Sequence, residues 1–181
     1  KGILVNTIYC GSQQAGVRDG WKEAASLADG RYLVIDHNRV VEEVRAPQDA
    51  EIAQLGARLN ETYVPYGARG AQSAARQAAQ DSNAQRLSLG AFAARSVSKA
   101  SVQYNNAGWD LVDAVNQGKV DLAKVEAEAL PAAMKNLSAS EREAYVRRQV
   151  EQRQQLQARI RQLDQERKRF LAEHDKKSAA D

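Results

Sequence analysis

ILVNTIY, residues 3–9, and YLVI, residues 32–35, decide the fold of this chain. Both stretches are short, apolar and rich in β-branched or aromatic residues, as buried parallel strands are. Between them a helical pattern ends near Gly30, a residue that tolerates the left-handed conformation at a helix end. We therefore predict a β-α-β unit with one helix over residues 12–29. The apolar positions of that helix share one face and are Val17, Trp21, Ala24 and Ala28.

Two parallel strands would leave backbone groups unpaired and an apolar face uncovered if they stood alone. We therefore expect the chain to be the C-terminal portion of a larger α/β protein. The missing N-terminal part of the same domain is then an expected partner of these strands.

The sequence after the second strand reads as helical. Ile52, Leu55 and Leu59 form an apolar stripe on a helix that starts near Asp49 and follows the β-α-β unit. Residues 67–139 are predicted to be an Ala-rich helical extension, with eleven alanines between positions 68 and 100. A break at Ser88–Gly90 predicts two helices there.

Residues 140–181 are predicted to be a long charged helix with a frayed tail. Ser138 and Glu141 form a capping-box pattern before it, and no Gly or Pro follows. Half of its heptad positions are polar, so we expect it to lie along a partner or its own domain rather than to form a coiled coil. Its candidate interaction residues are Leu156, Ile160, Leu163 and Phe170.

The net charge, the cysteine content and the lengths of the apolar runs exclude several kinds of site and segment. The net charge is +3, and residues 1–139 carry 15 basic and 15 acidic side chains, so the excess lies in the final helix. Cys10 is the single cysteine, which excludes an internal disulfide and a Cys-based zinc site. No apolar run approaches the roughly 20 residues that span a bilayer, so no transmembrane segment is predicted.

Five strings carry a family resemblance: TIYCG at 7–11, GWKEAASLADGRYLVID at 20–36, TYVPYGARG at 62–70, QAAQDSNA at 77–84 and WDLVDAV at 109–115. Together they resemble bacterial von Willebrand factor type A (vWA) domain proteins that have a helical C-terminal extension. The resemblance implies that residues 1–66 are the C-terminal portion of a vWA-like α/β domain, a β-α-β-α segment of its Rossmann-like parallel sheet. It also implies export to the periplasm or cell envelope.

Such domains bind a divalent cation at an adhesion site built from a DxSxS motif, a Thr and an Asp. No DxSxS occurs in this sequence, so the resemblance assigns no metal ligand and no cofactor to this chain. A cation such as Mg²⁺ is implied for the full-length parent instead.

The function that we predict is non-enzymatic protein interaction, with an unidentified protein partner. Tyr63, Tyr66 and Trp109 are further interaction candidates because aromatic residues are enriched at interface hot spots. For Trp109 we favour a role in the core.

A cryptic hydrolase or transferase is an alternative. Cys10 and His37 each follow a predicted parallel strand, so both would lie at the carboxyl edge of the sheet, where an imidazole could activate a thiol. The competing interpretation makes Cys10 a small buried hydrophobic residue and His37 a loop residue.

The sequence contains two further candidate sites, one for nucleic acid and one for a cation. Nucleic-acid binding through the Arg-rich final helix is a second alternative function. Its positive charges spread around the helix among acidic residues, so no nucleic acid is expected as a partner. Asp110 and Asp113, spaced i, i+3, could share a cation, although such pairs are usually capping or surface charges.

Overall fold

The computed structural model describes residues 3–36 and 43–178. The chain divides into two compact units, Lys1–Glu43 and Val44–Asp181. The described part is mostly helical, with a small parallel sheet near the N-terminus and a long C-terminal helix. At this level the predicted fold class is confirmed.

The first unit contains two parallel strands and two short helices. Thr7 pairs with Tyr32 and Cys10 with Ile35 in the strand register. The elements of this unit are β1 (Thr7–Cys10), α1 (Gln13–Arg18), α2 (Trp21–Leu27) and β2 (Tyr32–Ile35). Successive side chains alternate between the two faces of a sheet, so Tyr9 and Tyr32 share one face and Ile8, Leu33 and Ile35 share the other.

The prediction of a single helix over residues 12–29 is wrong. Gly20 has φ +80°, which separates α1 from α2 because a left-handed residue cannot continue the helix. The predicted apolar face is wrong for the same reason, since residues of α1 and residues of α2 lie on two separate helices and do not share one face. Val17 and Trp21 are exposed, and Ala25 rather than Ala24 is buried.

A close approach places α1 against the face of the sheet that carries the tyrosines. A Cβ on Gly16 would lie 1.9 Å from the Tyr32 hydroxyl and 2.8 Å from the Tyr9 ring. Glycine at this position therefore lets α1 cover one face of the sheet.

The second unit is helical. Its helices are α3 (Asp49–Asn60), α4 (Gly70–Leu87), α5 (Leu89–Lys99), α6 (Leu111–Asn116), α7 (Ala132–Lys135) and α8 (Ala139–Ser178), with short 3-10 turns at Leu122–Lys124 and Ala127–Ala129. Ser88 accepts a hydrogen bond from the Ala91 N–H as the N-cap of α5, so the predicted break between two helices is confirmed.

Two apolar cores hold this unit together. The first buries α3 and α5 side chains against α8; its members are Ile52, Leu59, Ala93, Ala100, Leu156, Ile160 and Leu163. The second lies around α6 and the N-terminal half of α8, with Val64, Leu111, Val112, Leu122, Leu130, Met134 and Val146. Because α3 packs in the first of these cores, it belongs to the helical unit, whereas the sequence prediction grouped it with the strands in residues 1–66.

The capping box before α8 is confirmed. Glu141 accepts a hydrogen bond from the Ser138 N–H at 2.7 Å, and the Ser138 hydroxyl accepts one from the Glu141 N–H at 3.4 Å. The helix runs for 40 residues. It packs on α3, α5 and α6 of its own unit, which is one of the two arrangements that the polar heptad positions predicted.

Candidate functional site

The first candidate surface is the face of the sheet opposite the tyrosines. Ile8, Leu33 and Ile35 are 51%, 52% and 56% exposed, and Cys10 on the same face is also exposed. Three neighbouring aliphatic side chains on two paired strands make a continuous apolar surface, which marks an interaction site more often than scattered apolar residues do.

Cys10 lies at the end of β1 in this surface. In the 181-residue chain Cys10 is exposed, contrary to its interpretation as a buried hydrophobic residue, because no described residue of its unit covers this face of the sheet. His37 lies outside the described residues. The pairing of Cys10 with His37 therefore stays a prediction.

The second candidate site surrounds Asp110 and Asp113. Asp110 caps α6, since its carboxylate accepts a hydrogen bond from the Asp113 N–H at 3.0 Å. The two carboxylates do share a cation, but that cation is the guanidinium of Arg153 on α8, at 2.5 Å from Asp110 and 2.6 Å from Asp113. The i, i+3 spacing thus serves an ion pair inside the unit.

Arg153 uses all of its nitrogens. Nε donates to the Thr62 hydroxyl at 3.0 Å, and a terminal nitrogen donates to the Thr62 carbonyl oxygen. The guanidinium carbon also lies 4.4 Å from the centre of the Tyr63 ring, within range of a cation–π interaction. A guanidinium with five donors in a rigid fork can satisfy such a set of acceptors, whereas an ammonium cannot.

Burial shifts the pKa values of Asp110 and Arg153 in opposite directions. Removal from water raises the pKa of the Asp110 carboxyl, and hydrogen bonds from Arg153 and from the Val64 N–H oppose that rise. Burial alone would lower the pKa of Arg153, but the hydrogen bond to Asp110 and the nearby carboxylates raise it. The guanidinium is therefore held charged in a nearly dry site.

The aromatic interaction candidates lie around this ion pair. Tyr63 packs against Trp109, with ring centres 5.7 Å apart, and burial raises the pKa of the Tyr63 hydroxyl far above its usual range. The Tyr66 hydroxyl donates to the Ala107 carbonyl oxygen at 2.8 Å. These side chains contribute to the packing of their own unit.

The interaction candidates on α8 also pack within the second unit. Leu156, Ile160 and Leu163 are buried in the first core, and Phe170 is half-buried near the end of α8. Their contacts attach α8 to α3 and α5.

A second buried charge cluster centres on Asp81 of α4. Its carboxylate accepts hydrogen bonds from Lys99 Nζ and Arg95 Nε, both at 2.5 Å, and from the Asn60 amide at 2.6 Å. Burial alone would raise the pKa of Asp81, but the hydrogen bonds from Lys99, Asn60 and Arg95 hold it below its usual range. Sequence analysis did not identify this cluster, because the residues lie on three helices and form no local motif.

The arginines of α8 mostly contact the same unit. Arg159 pairs with Glu51 and Arg167 with Asp49, while Arg161 donates to the Ala100 carbonyl oxygen. Arg142 donates to the Met134 and Lys135 carbonyl oxygens. Together with Arg153, five arginines of this helix attach it to the rest of the unit.

No metal centre is visible in the described ranges: residues 3–36 and 43–178 contain no cluster of three or more His, Cys, Asp or Glu side chains that could hold an ion. Within the same residues, no helix is long and apolar enough to cross a membrane. Comparison of the chain with protein-family models, with curated proteins and with solved structures found no match.

Proposed function

We propose that this chain is a non-enzymatic protein-interaction module whose first unit belongs to a vWA-type α/β domain. The observation that supports the proposal is the exposed apolar face formed by Ile8, Leu33 and Ile35. Parallel sheets occur with helices packed on both faces, and α1 covers the other face here. Covering the exposed half of each of these side chains would contribute about 1 kcal/mol per residue.

The edges of the sheet support the same proposal. β1 and β2 pair only with each other in the described residues, so each strand has one edge without a neighbouring strand. The proposed partner is a protein segment that adds a strand at such an edge and places the apolar side of an amphipathic helix on the exposed face. We propose that the rest of the same α/β domain supplies this strand and this helix.

We assign the second unit the role of the helical extension that the vWA resemblance implies. Its two cores and buried ion pairs make it a stable body in which α8 folds back on α3 and α5. The proposal places the protein in the periplasm or cell envelope. It assigns any Mg²⁺ site to the full-length parent, as the vWA resemblance implies, because this sequence contains no DxSxS motif.

The rate of Cys10 alkylation tests the proposal. Cys10 lies in the exposed face, so iodoacetamide should modify it readily in the 181-residue chain. In the protein purified from its native source, a covered face should slow the reaction by about tenfold or more, because modification then requires local opening. Mass spectrometry of the peptide that contains Cys10 measures both rates, and unfolded samples provide the control. Equal rates in the two folded samples would contradict the proposal.

The exposure of Cys10 also favours the alternative of a Cys-His hydrolase or transferase. A neighbouring imidazole promotes formation of the reactive thiolate. This alternative therefore expects Cys10 to react with iodoacetamide at pH 7 about ten times faster than an unstructured peptide of the same local sequence. A rate equal to or below that of the peptide would exclude it.

A further inference from the structure

A cleft of about 420 Å³ lies in the second unit between α4, α5 and the chain that precedes α6. The described residues that line it include Arg76 and Arg95 but no Asp or Glu. Its remaining lining groups are amides, a serine hydroxyl and the rings of Tyr104 and Trp109. The cleft is thus basic, polar and partly aromatic.

The Asp81 cluster behind the cleft carries a surplus positive charge. Asp81 is bonded by two cations, of which Lys99 is fully buried and Arg95 is 23% exposed. Lys99 Nζ donates to both the Asp81 carboxylate and the side-chain Oδ1 of Asn60, so its bonds are directed away from solvent. One carboxylate cannot neutralise two cations, so the cluster has a net positive charge. Arg95 is the partly exposed cation of the cluster.

Arg76 adds a second positive charge to the cleft. It is exposed on α4 and forms no ion pair with a described residue. Arg76 has no carboxylate partner among the described residues, and the carboxylate that pairs with Arg95 also pairs with Lys99. The two guanidinium groups therefore favour an anionic ligand, since charge-assisted hydrogen bonds to carboxylate or phosphate oxygens are the strongest available to them.

Asn106 lines the same cleft beside Tyr104 and Trp109. Its Oδ1 accepts a hydrogen bond from Trp109 Nε1 at 3.2 Å. Its Nδ2 is buried and finds no acceptor with hydrogen-bond geometry among the described residues. Because this nitrogen has no exposed surface, Asn106 contributes to the wall of the cleft by holding Trp109 rather than by contacting a ligand.

We propose that this cleft binds a small organic anion that bears a carboxylate or phosphate group. Arg76 and Arg95 contact the anionic group, and Trp109 forms part of the wall. The proposal is independent of the role assigned to the sheet of the first unit.

Trp109 fluorescence provides the test. The chain has two tryptophans, so a Trp21→Phe variant leaves Trp109 as the single reporter. The probes are D-glucuronate, citrate and inorganic phosphate at constant ionic strength, with D-glucose as the uncharged counterpart of glucuronate. We expect a saturable change in emission with at least one anion at concentrations up to about 20 mM and none with glucose. Glucuronate and citrate represent carboxylate ligands, and phosphate represents the other source of oxygens.

Two variants in the same background locate the binding. Arg76→Gln should weaken binding by about fivefold or more, since it removes one charge from the cleft. Arg86→Gln lies on the same helix outside the cleft, where Arg86 contacts Ser82, and should leave the affinity unchanged. Circular dichroism confirms that both variants fold. No saturable response to any of the three anions, an equal response to glucose, or equal affinities of the two variants would overturn the proposal.

Discussion

Replacement of Arg153 by Met removes the cation that joins α8 to α6 and to the end of α3. Five hydrogen bonds disappear, two of them to Asp110, two to Thr62 and one to Asp113. Methionine fills much of the volume but satisfies none of these acceptors. The substitution therefore tests whether the buried ion pair, rather than apolar packing alone, holds the helix in place.

The expected cost follows from what remains. Asp110 keeps hydrogen bonds from the Val64 and Asp113 N–H groups, at 2.7 and 3.0 Å, but loses its counter-charge. Breaking a buried pair by removal of one partner costs about 3–5 kcal/mol. Since a whole domain is stable by about 5–15 kcal/mol, the loss is a large fraction of the free energy of unfolding.

Urea denaturation in the Trp21→Phe background measures this loss through Trp109, which packs against Tyr63 beside the Arg153 guanidinium. Arg169→Met, an exposed position on the same helix, is the matched control and should change stability by less than about 0.5 kcal/mol. Adding Asp110→Asn to Arg153→Met should recover about 1–2 kcal/mol, because the buried charge is gone. An Arg153→Met loss no greater than that of Arg169→Met would refute the reasoning.

Three other outcomes follow from the structure. Asp81→Asn should destabilise the second unit by about 3 kcal/mol at pH 7, since it leaves Lys99 buried without a counter-charge. Because the pKa of Asp81 is lowered by folding, its contribution is present above about pH 4 and is lost as the pH falls below that value, so the difference between variant and parent in urea titrations should shrink towards pH 2. Gly56→Ala should lower the melting temperature through a cost of about 1–3 kcal/mol, because the new Cβ would lie 1.9 Å from the Ser96 hydroxyl, and Ser96→Gly should relieve that overlap. Truncation of Ile8 and Leu33 to Ala should change the stability of the 181-residue chain by less than about 1 kcal/mol, as expected for exposed side chains, and a larger loss on thermal unfolding would show that the face is already covered.

Local patterns in the sequence were sufficient to predict several elements. The Ser138–Glu141 capping box depends on hydrogen bonds between residues three apart, so the residue types alone identify it. The break at Ser88–Gly90 was also predictable, although the N-cap hydrogen bond of Ser88 was recognised only in the structure. The two strands were predictable because their apolar runs are bounded by glycine and polar residues. The sequence analysis did not predict the division of the first helix at Gly20. An isolated glycine destabilises a helix by only about 1 kcal/mol, so its presence does not by itself predict a left-handed turn.

The buried charges could not be predicted in the same way. Arg153 occupies a heptad position, but its partners Thr62 and Asp110 lie 91 and 43 residues away, so only the tertiary fold brings them together. Lys99 and Asp81 are 18 residues apart on different helices. Isolated Lys and Arg are normally solvent-exposed, and sequence analysis assigns them to the surface unless their partners are known.

The position of α8 in the chain has a consequence for biosynthesis. Ile52 and Leu59 of α3 are translated about 100 residues before Ile160 and Leu163, the side chains that cover them. At elongation rates of about 5–20 residues per second, this apolar surface stays open for roughly 5–20 s on the ribosome. The nascent helical unit therefore keeps an open apolar surface until α8 emerges, and the synthesis of α8 is what closes this core.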